Sequence, residues 1–228
     1  MDKITRKDVE KTTIADIAET STAAALSLIP GVGELFNRLV MPFAERRRND
    51  WIESIENRLK ELQSKYPDID KRLTDNEKAI SAILYASPLA LKTNNHTKLT
   101  ALQNIIINTI LEPNYEEYKI QMFLRFVDDF SELHILLLKF LDNPQTLYKP
   151  KDSYLAHSIA SDALESLFLK QYKGFDSSSV KSALNYLSSN YLIDCEITTF
   201  STKMTTEGLL ESRTTNLGKD FIKFIISK

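Results

Sequence analysis

Two groups of residues in this chain have types and spacings that could do chemistry. The first is Ser178, Ser179, Lys181, Ser182, Asn185 and Tyr186, within a stretch that reads as a helix from Ser177 to Asn190. Serine and asparagine can hydrogen-bond base edges, and a lysine can meet a phosphate or a guanine. The set is therefore a candidate DNA-reading surface, with Lys203 and Arg213 positioned in sequence to flank it. The second is the basic run Arg46, Arg47 and Arg48, followed by Trp51. It could grip a phosphate or an anionic surface, or serve as a contact patch. Glu45, Asp50 and Glu53 surround it at helical spacing, so a self-neutralised, solvated helix face is the competing expectation.

Other chemistries find little support. His96, His134 and His157 are far apart, and none sits in a metal-ligand motif. His134 lies on an apolar helical run and reads as a packed histidine. Asp128 and Asp129 read as solvated acids at a helix end, and Ser177 to Ser179 as cap residues. Cys195 falls in a buried-looking segment and reads as inert. Nucleophile-elbow, phosphate-loop and dinucleotide fingerprints do not occur. The expectation is a non-enzymatic protein with no cofactor and no metal.

Composition narrows the partners. The 228 residues carry 29 basic and 31 acidic side chains, a net charge of −2. No global pull towards nucleic acid or an anionic membrane follows from that balance. From Lys151 to Lys228 the count is nine Lys/Arg against nine Asp/Glu. The hydrophobic fraction of 43%, with only five Gly and seven Pro, allows a real core and favours helices. One cysteine excludes an intramolecular disulfide and suits a reducing cytoplasm. The polar start of the chain does not read as a secretory leader, and no 18-residue apolar run predicts a membrane span. Thr22 to Phe43 is apolar and rich in small residues, which makes a membrane-active hairpin conceivable, but Glu34, Asn37 and Arg38 interrupt it.

The elements that must position these residues are mostly helices. Ile14 to Leu28 has a small-residue helical face, broken by Pro30, Gly31 and Gly33. A long helix from Glu34 to about Lys65, bent at Pro42, carries Trp51, Ile55, Leu59, Leu62 and Tyr66 as an apolar seam. Thr74 to Glu77 resembles a capping box opening the next helix. Ser87-Pro88 is expected to begin another. His96 to Leu111 and Glu116 to Val127 follow. Ser131 caps a strongly apolar helix from Glu132 to Leu141, and Ser158 to Lys170 and Ser177 to Asn190 supply two more. Leu192 to Phe200 alternates and is β-branched, which predicts a strand. Ser201 to Glu211 would be a turn, Ser212 to Thr215 a returning strand, and Leu217 to Ile226 the closing helix.

That order resembles the bacterial winged helix-turn-helix domains. The residues carrying the likeness are Leu136 to Leu138, Ala163, Leu164, Leu167, Val180, Ala183, Leu184 and Leu187, then Tyr191-Leu192-Ile193 and Thr215-Asn216-Leu217-Gly218. The whole chain is also similar to a group of uncharacterised bacterial proteins that join a Pro-Gly-interrupted helical hairpin and an Arg-rich helix to a winged-helix-like end. Here the matching pieces are Leu28 to Gly33, Glu45 to Trp51, and Glu132 to Leu138. The expected fold is mainly α, with a helical bundle over 1–129. A winged helix-turn-helix over 130–228, of α+β type with a small β-hairpin wing, completes it. The expected role is an interaction or scaffold protein that contacts itself, as a homodimer, or another protein. A DNA-binding transcriptional regulator is the alternative, and a membrane-associating hairpin a lesser one.

Overall fold

A computed structural model of the chain describes residues 41–144 and 163–226. The expected helix at Ile14 to Leu28, its Pro-Gly break and the start of the helix expected from Ser158 lie outside the described residues. The chain divides into two compact units, one ending at Leu124 and the other beginning at Arg125.

In the first unit, α1 (Met41–Gln63) carries the basic run. A short α2 (Ile69–Thr74) follows, then α3 (Glu77–Lys92) and α4 (His96–Leu111), joined by residues 93–95 into a helical hairpin. α1 and α2 pack on both members of that hairpin. The small residues Ala79, Ala82, Ala86 and Ala90 repeat along α3 at helical spacing and are buried. They leave room for the bulky Leu102, Ile105, Ile106 and Ile110 of α4, all 1% exposed or less. Each such burial contributes about 1.5–3 kcal/mol.

Two local expectations are corrected here. Thr74 does not cap α3: its hydroxyl donates to the Lys71 carbonyl, and Asn76 is the cap, accepting from the Ala79 N–H. Asn76 wins because its amide also donates to the Thr109 carbonyl at 3.0 Å, which ties the cap to α4. Nor does Ser87-Pro88 start a new helix; α3 runs through Pro88. A mid-helix proline removes one backbone donor. The Ser87 hydroxyl donates to Ile83 O at 2.7 Å and in turn accepts from the Trp51 indole at 3.1 Å, so packing against α1 holds this turn helical.

Among its described residues, the regular elements of the second unit are all helices. α5 (Glu117–Asp129) spans the division between the units. α6 (Glu132–Asp142) packs against α8 (Ser177–Ser189) and α11 (Asn216–Ile225). α7 (Leu164–Gln171) touches α8 and the five-residue α9 (Ile197–Ser201), and α10 (Thr206–Leu210) precedes α11. The core is aromatic. Phe130 stacks on Phe126 at 5.3 Å between centroids and meets Phe221 edge-on at 5.8 Å. Such pairs add about 0.5–1.5 kcal/mol beyond area burial.

The expected β-hairpin wing is absent among the described residues. Of the strands expected at Leu192 to Phe200 and Ser212 to Thr215, one antiparallel bridge forms, Ile193 with Thr214. The predicted turn region is partly helical instead. Phe200, at the end of the expected first strand, and Leu209, in the expected turn, are both fully buried. Tertiary burial outweighs the local strand preference of the β-branched residues.

Candidate interaction face

The exposed side of α8 is where the sequence places its readers, and its own N-terminus occupies several of them. Asp176 is the N-cap, and its carboxylate accepts from the Ser179 N–H at 2.9 Å. The Ser178 and Ser179 hydroxyls both donate to the same carboxylate. Those hydroxyl bonds, followed by the Ser179 N–H, hold the Asp176 carboxyl far below the usual range. The positive end of α8 is thus already matched with a fixed negative charge, at the place where a DNA phosphate would otherwise dock.

Lys181 is similarly engaged. Its ammonium lies 3.1 Å from Glu165 on α7, whose side chain is only 15% exposed. Glu165 also accepts from the Ser177 and Ser201 hydroxyls, so one carboxylate ties α7, α8 and the end of α9 together. Partial burial pushes the Glu165 carboxyl up. The bonds from Ser177, Ser201 and Lys181, with the Lys181 charge, outweigh that and hold it below its ordinary value. Sequence reasoning missed Glu165, because nothing in local spacing points from α8 to it.

Arg213 is drawn inward, its side chain 9% exposed. Its guanidinium donates to the Gly208 carbonyl at 2.7 Å and the Glu211 carbonyl at 2.8 Å. Arg213 therefore organises the loop that was expected to form the wing. Lys203 is exposed. The basic flank expected of Lys181, Lys203 and Arg213 thus has two of its three cations committed to partners within the chain.

What remains on the surface of α8 is uncharged. Ser182 and Asn185 are exposed, and Tyr186 is 42% exposed. The Tyr186 ring is fixed from beneath, edge-on to Phe130 at 5.9 Å and to His134 at 5.4 Å. His134 stacks on Phe130, and its Nδ1 accepts from the Ser131 N–H at 3.1 Å, so this imidazole is used in capping α6.

Tyr191 is the residue that sequence reading missed as a surface feature. Asn190 is the C-cap of α8, as its sequence suggests, and Tyr191 follows it with φ 57°. The Tyr191 N–H donates to Ser188 O and the Leu192 N–H to Leu187 O, the paired bonds of a Schellman motif. Glycine usually holds this left-handed position, because a side chain there is strained by about 1–2 kcal/mol. Here the strained position carries a tyrosine, and the residue is 79% exposed. The signal in the sequence was the missing glycine after Asn190.

The N-terminal candidates behave differently. Arg46 lies 4.0 Å from Asp50 with both side chains well exposed, and Arg47 donates to the Leu91 carbonyl at 3.2 Å. Arg48 is half-buried. Trp51, expected as a contact residue, is instead buried and bonded to Ser87 within its own unit.

Among the described residues no group of His, Cys, Asp and Glu is placed to hold a metal ion, and no helix is long and apolar enough to cross a membrane. Burial pushes the Cys195 thiol up to about 11. Comparison of the chain with protein-family models, with curated proteins and with solved structures gives no match.

Proposed function

We propose that this chain is a non-enzymatic interaction protein whose C-terminal unit contacts another protein through the exposed face of α8. On this reading the unit is winged-helix-like, with α6, α7 and α8 as its three helices and the wing reduced to the Ile193–Thr214 bridge. One observation carries the proposal. From Ser177 to Tyr191 the only charged residue is Lys181, and Glu165 on α7 pairs with it. The face therefore offers serine, asparagine and tyrosine. That composition suits protein contact, where tyrosine supplies rigid area and serine or asparagine adaptable hydrogen bonds. DNA binding draws much of its affinity from cations on phosphates. The use of His134 in capping α6 and the burial of Cys195 fit a non-catalytic role, and a lone thiol suits a reducing cytoplasm.

Fluorescence anisotropy with random-sequence duplex DNA tests this reading. A DNA-binding domain shows a non-specific Kd of about 10⁻⁴–10⁻⁶ M at physiological salt, tightening as salt falls. The expected result is no binding in that range even at low salt. Salt-dependent binding that Lys181→Ala and Lys203→Ala weaken would overturn the proposal in favour of the DNA-binding alternative.

A further inference from the structure

We infer that an exposed apolar stripe on α3 is the docking site of a segment of this same chain, residues 14–28, which precede α1 in sequence. The stripe lies in the first unit, and the inference is independent of the α8 face.

α1, α2 and α4 pack on α3, yet Ile80 and Leu84 remain 38% and 46% exposed. Half-buried Pro88 and Leu91 continue the series at spacings of four and three. These four residues line one side of the helix over about 17 Å. A solvated helix face normally carries polar side chains at such positions. A continuous apolar stripe there marks a surface that is covered in use.

Two observations select the occupant. The first is where the chain enters. α1 runs antiparallel to α3, with Trp51 bonded to Ser87 and Arg47 to the Leu91 carbonyl. The start of α1 therefore lies at the Leu91 end of the stripe. Phe43, one turn before Arg47 on the same face of α1, is 68% exposed and carries apolar surface towards the residues that precede α1. The second is what those residues are. Ile14, Ile17, Ala18, Ala24, Ala25 and Leu28 recur at helical spacing. Fifteen residues of helix measure about 22 Å, enough to follow the stripe from end to end. Small side chains permit close approach, as the buried alanines of α3 do for α4. Pro30, Gly31 and Gly33 separate the segment from α1 and let the chain reverse.

Tethering favours this occupant over a separate molecule. A stripe of four residues is far smaller than the roughly 800 Å² per partner that a stable complex of free proteins needs. A segment joined to α1 by a short connection meets the stripe at an effective concentration of order millimolar, so a small contact suffices.

The test is amide hydrogen exchange of the full chain, on the wild type, Ile80→Asp, Leu84→Asp and Tyr85→Asp. Tyr85 lies about 100° round the helix from Leu84, so its variant puts the same charge on α3 away from the stripe. In the wild type, amides of residues 14–28 should exchange about tenfold or more slower than in the unfolded chain, equally at about 1 µM and about 100 µM protein. Ile80→Asp and Leu84→Asp should each remove that protection while α4 keeps its own, and Tyr85→Asp should change neither. Exchange of residues 14–28 at the unfolded rate in the wild type overturns the inference. So does protection that survives both stripe substitutions, or that Tyr85→Asp removes equally. Protection that appears only at the higher concentration also overturns it, by giving the stripe to a second copy.

Discussion

Gly218 sits in the first turn of α11, where the chain returns to the bridge at Ile193. A Cβ built there would lie 2.1 Å from the Leu192 carbonyl oxygen and 2.5 Å from the Thr214 methyl. Ordinary contact between such atoms is about 3.5 Å, so α11 or the bridge must shift by more than an ångström. Neither can move freely. The Leu192 carbonyl accepts from the Thr215 N–H at 3.1 Å. The Thr215 hydroxyl donates to Tyr191 O and accepts from the Gly218 N–H. Gly218→Ala therefore carries an overpacking cost of about 1–3 kcal/mol. Loss or distortion of the Thr215 bond and cap adds about 1 kcal/mol each. The helix preference of alanine returns up to about 1 kcal/mol. The net expectation is a loss of about 2–4 kcal/mol, a large part of the roughly 5–15 kcal/mol that holds a domain together. Thermal unfolding should drop by roughly 10–20 °C. Gly208→Ala is the control, since its nearest neighbour would be the Thr205 hydroxyl at 3.4 Å. It should fall within about 0.5 kcal/mol of wild type. If Gly218→Ala unfolds at or above the wild-type temperature, the close approach of α11 to the bridge is wrong.

Glu165→Gln removes a carboxyl whose folded pKa is depressed. Such a group contributes stability above its unfolded value of about 4.3, and the contribution is lost as pH falls through the folded value. Urea unfolding between pH 7 and pH 3 should show a shallower acid loss in the variant, and equal slopes would contradict the Glu165 hub. Trp51→Phe should cost about 1–2 kcal/mol through the lost bond to Ser87. A variant as stable as wild type in denaturant titration would show that this bond does not hold α1 to α3. Cys195, with its thiol pushed up to about 11 and buried, should resist alkylation at pH 8 in the native protein and react readily in denaturant. Fast native labelling would place it at the surface.

The long helices were legible because their apolar residues repeat at one period and their stops are explicit. His96 to Leu111 and Glu132 to Asp142 fall within a residue of their expected bounds. The wing failed for a reason no local window contains. Ile197, Thr198 and Thr199 favour a strand, but Phe200 and Leu209 are buried by helices, and Arg213 satisfies the Gly208 and Glu211 carbonyls of the compact loop. The cap of α3 was misplaced by two residues because Thr109, a helix away, decides for Asn76. On the candidate face, serine and asparagine could be read directly, but the state of Lys181 could not. Its charge is offset by Glu165, which the fold and not the spacing brings to it. Tyr191 was missed because its importance lies in a backbone angle, φ 57°, that only the missing glycine hints at.

The claim that the α8 face meets protein rather than DNA is tested most directly by amide chemical shifts of the full chain. The series needed is one of added short duplex DNA at low salt. The expected result is no response of the Ser182, Asn185, Tyr186 and Tyr191 amides to the duplex. Salt-sensitive shifts of the same amides on adding DNA would contradict the account.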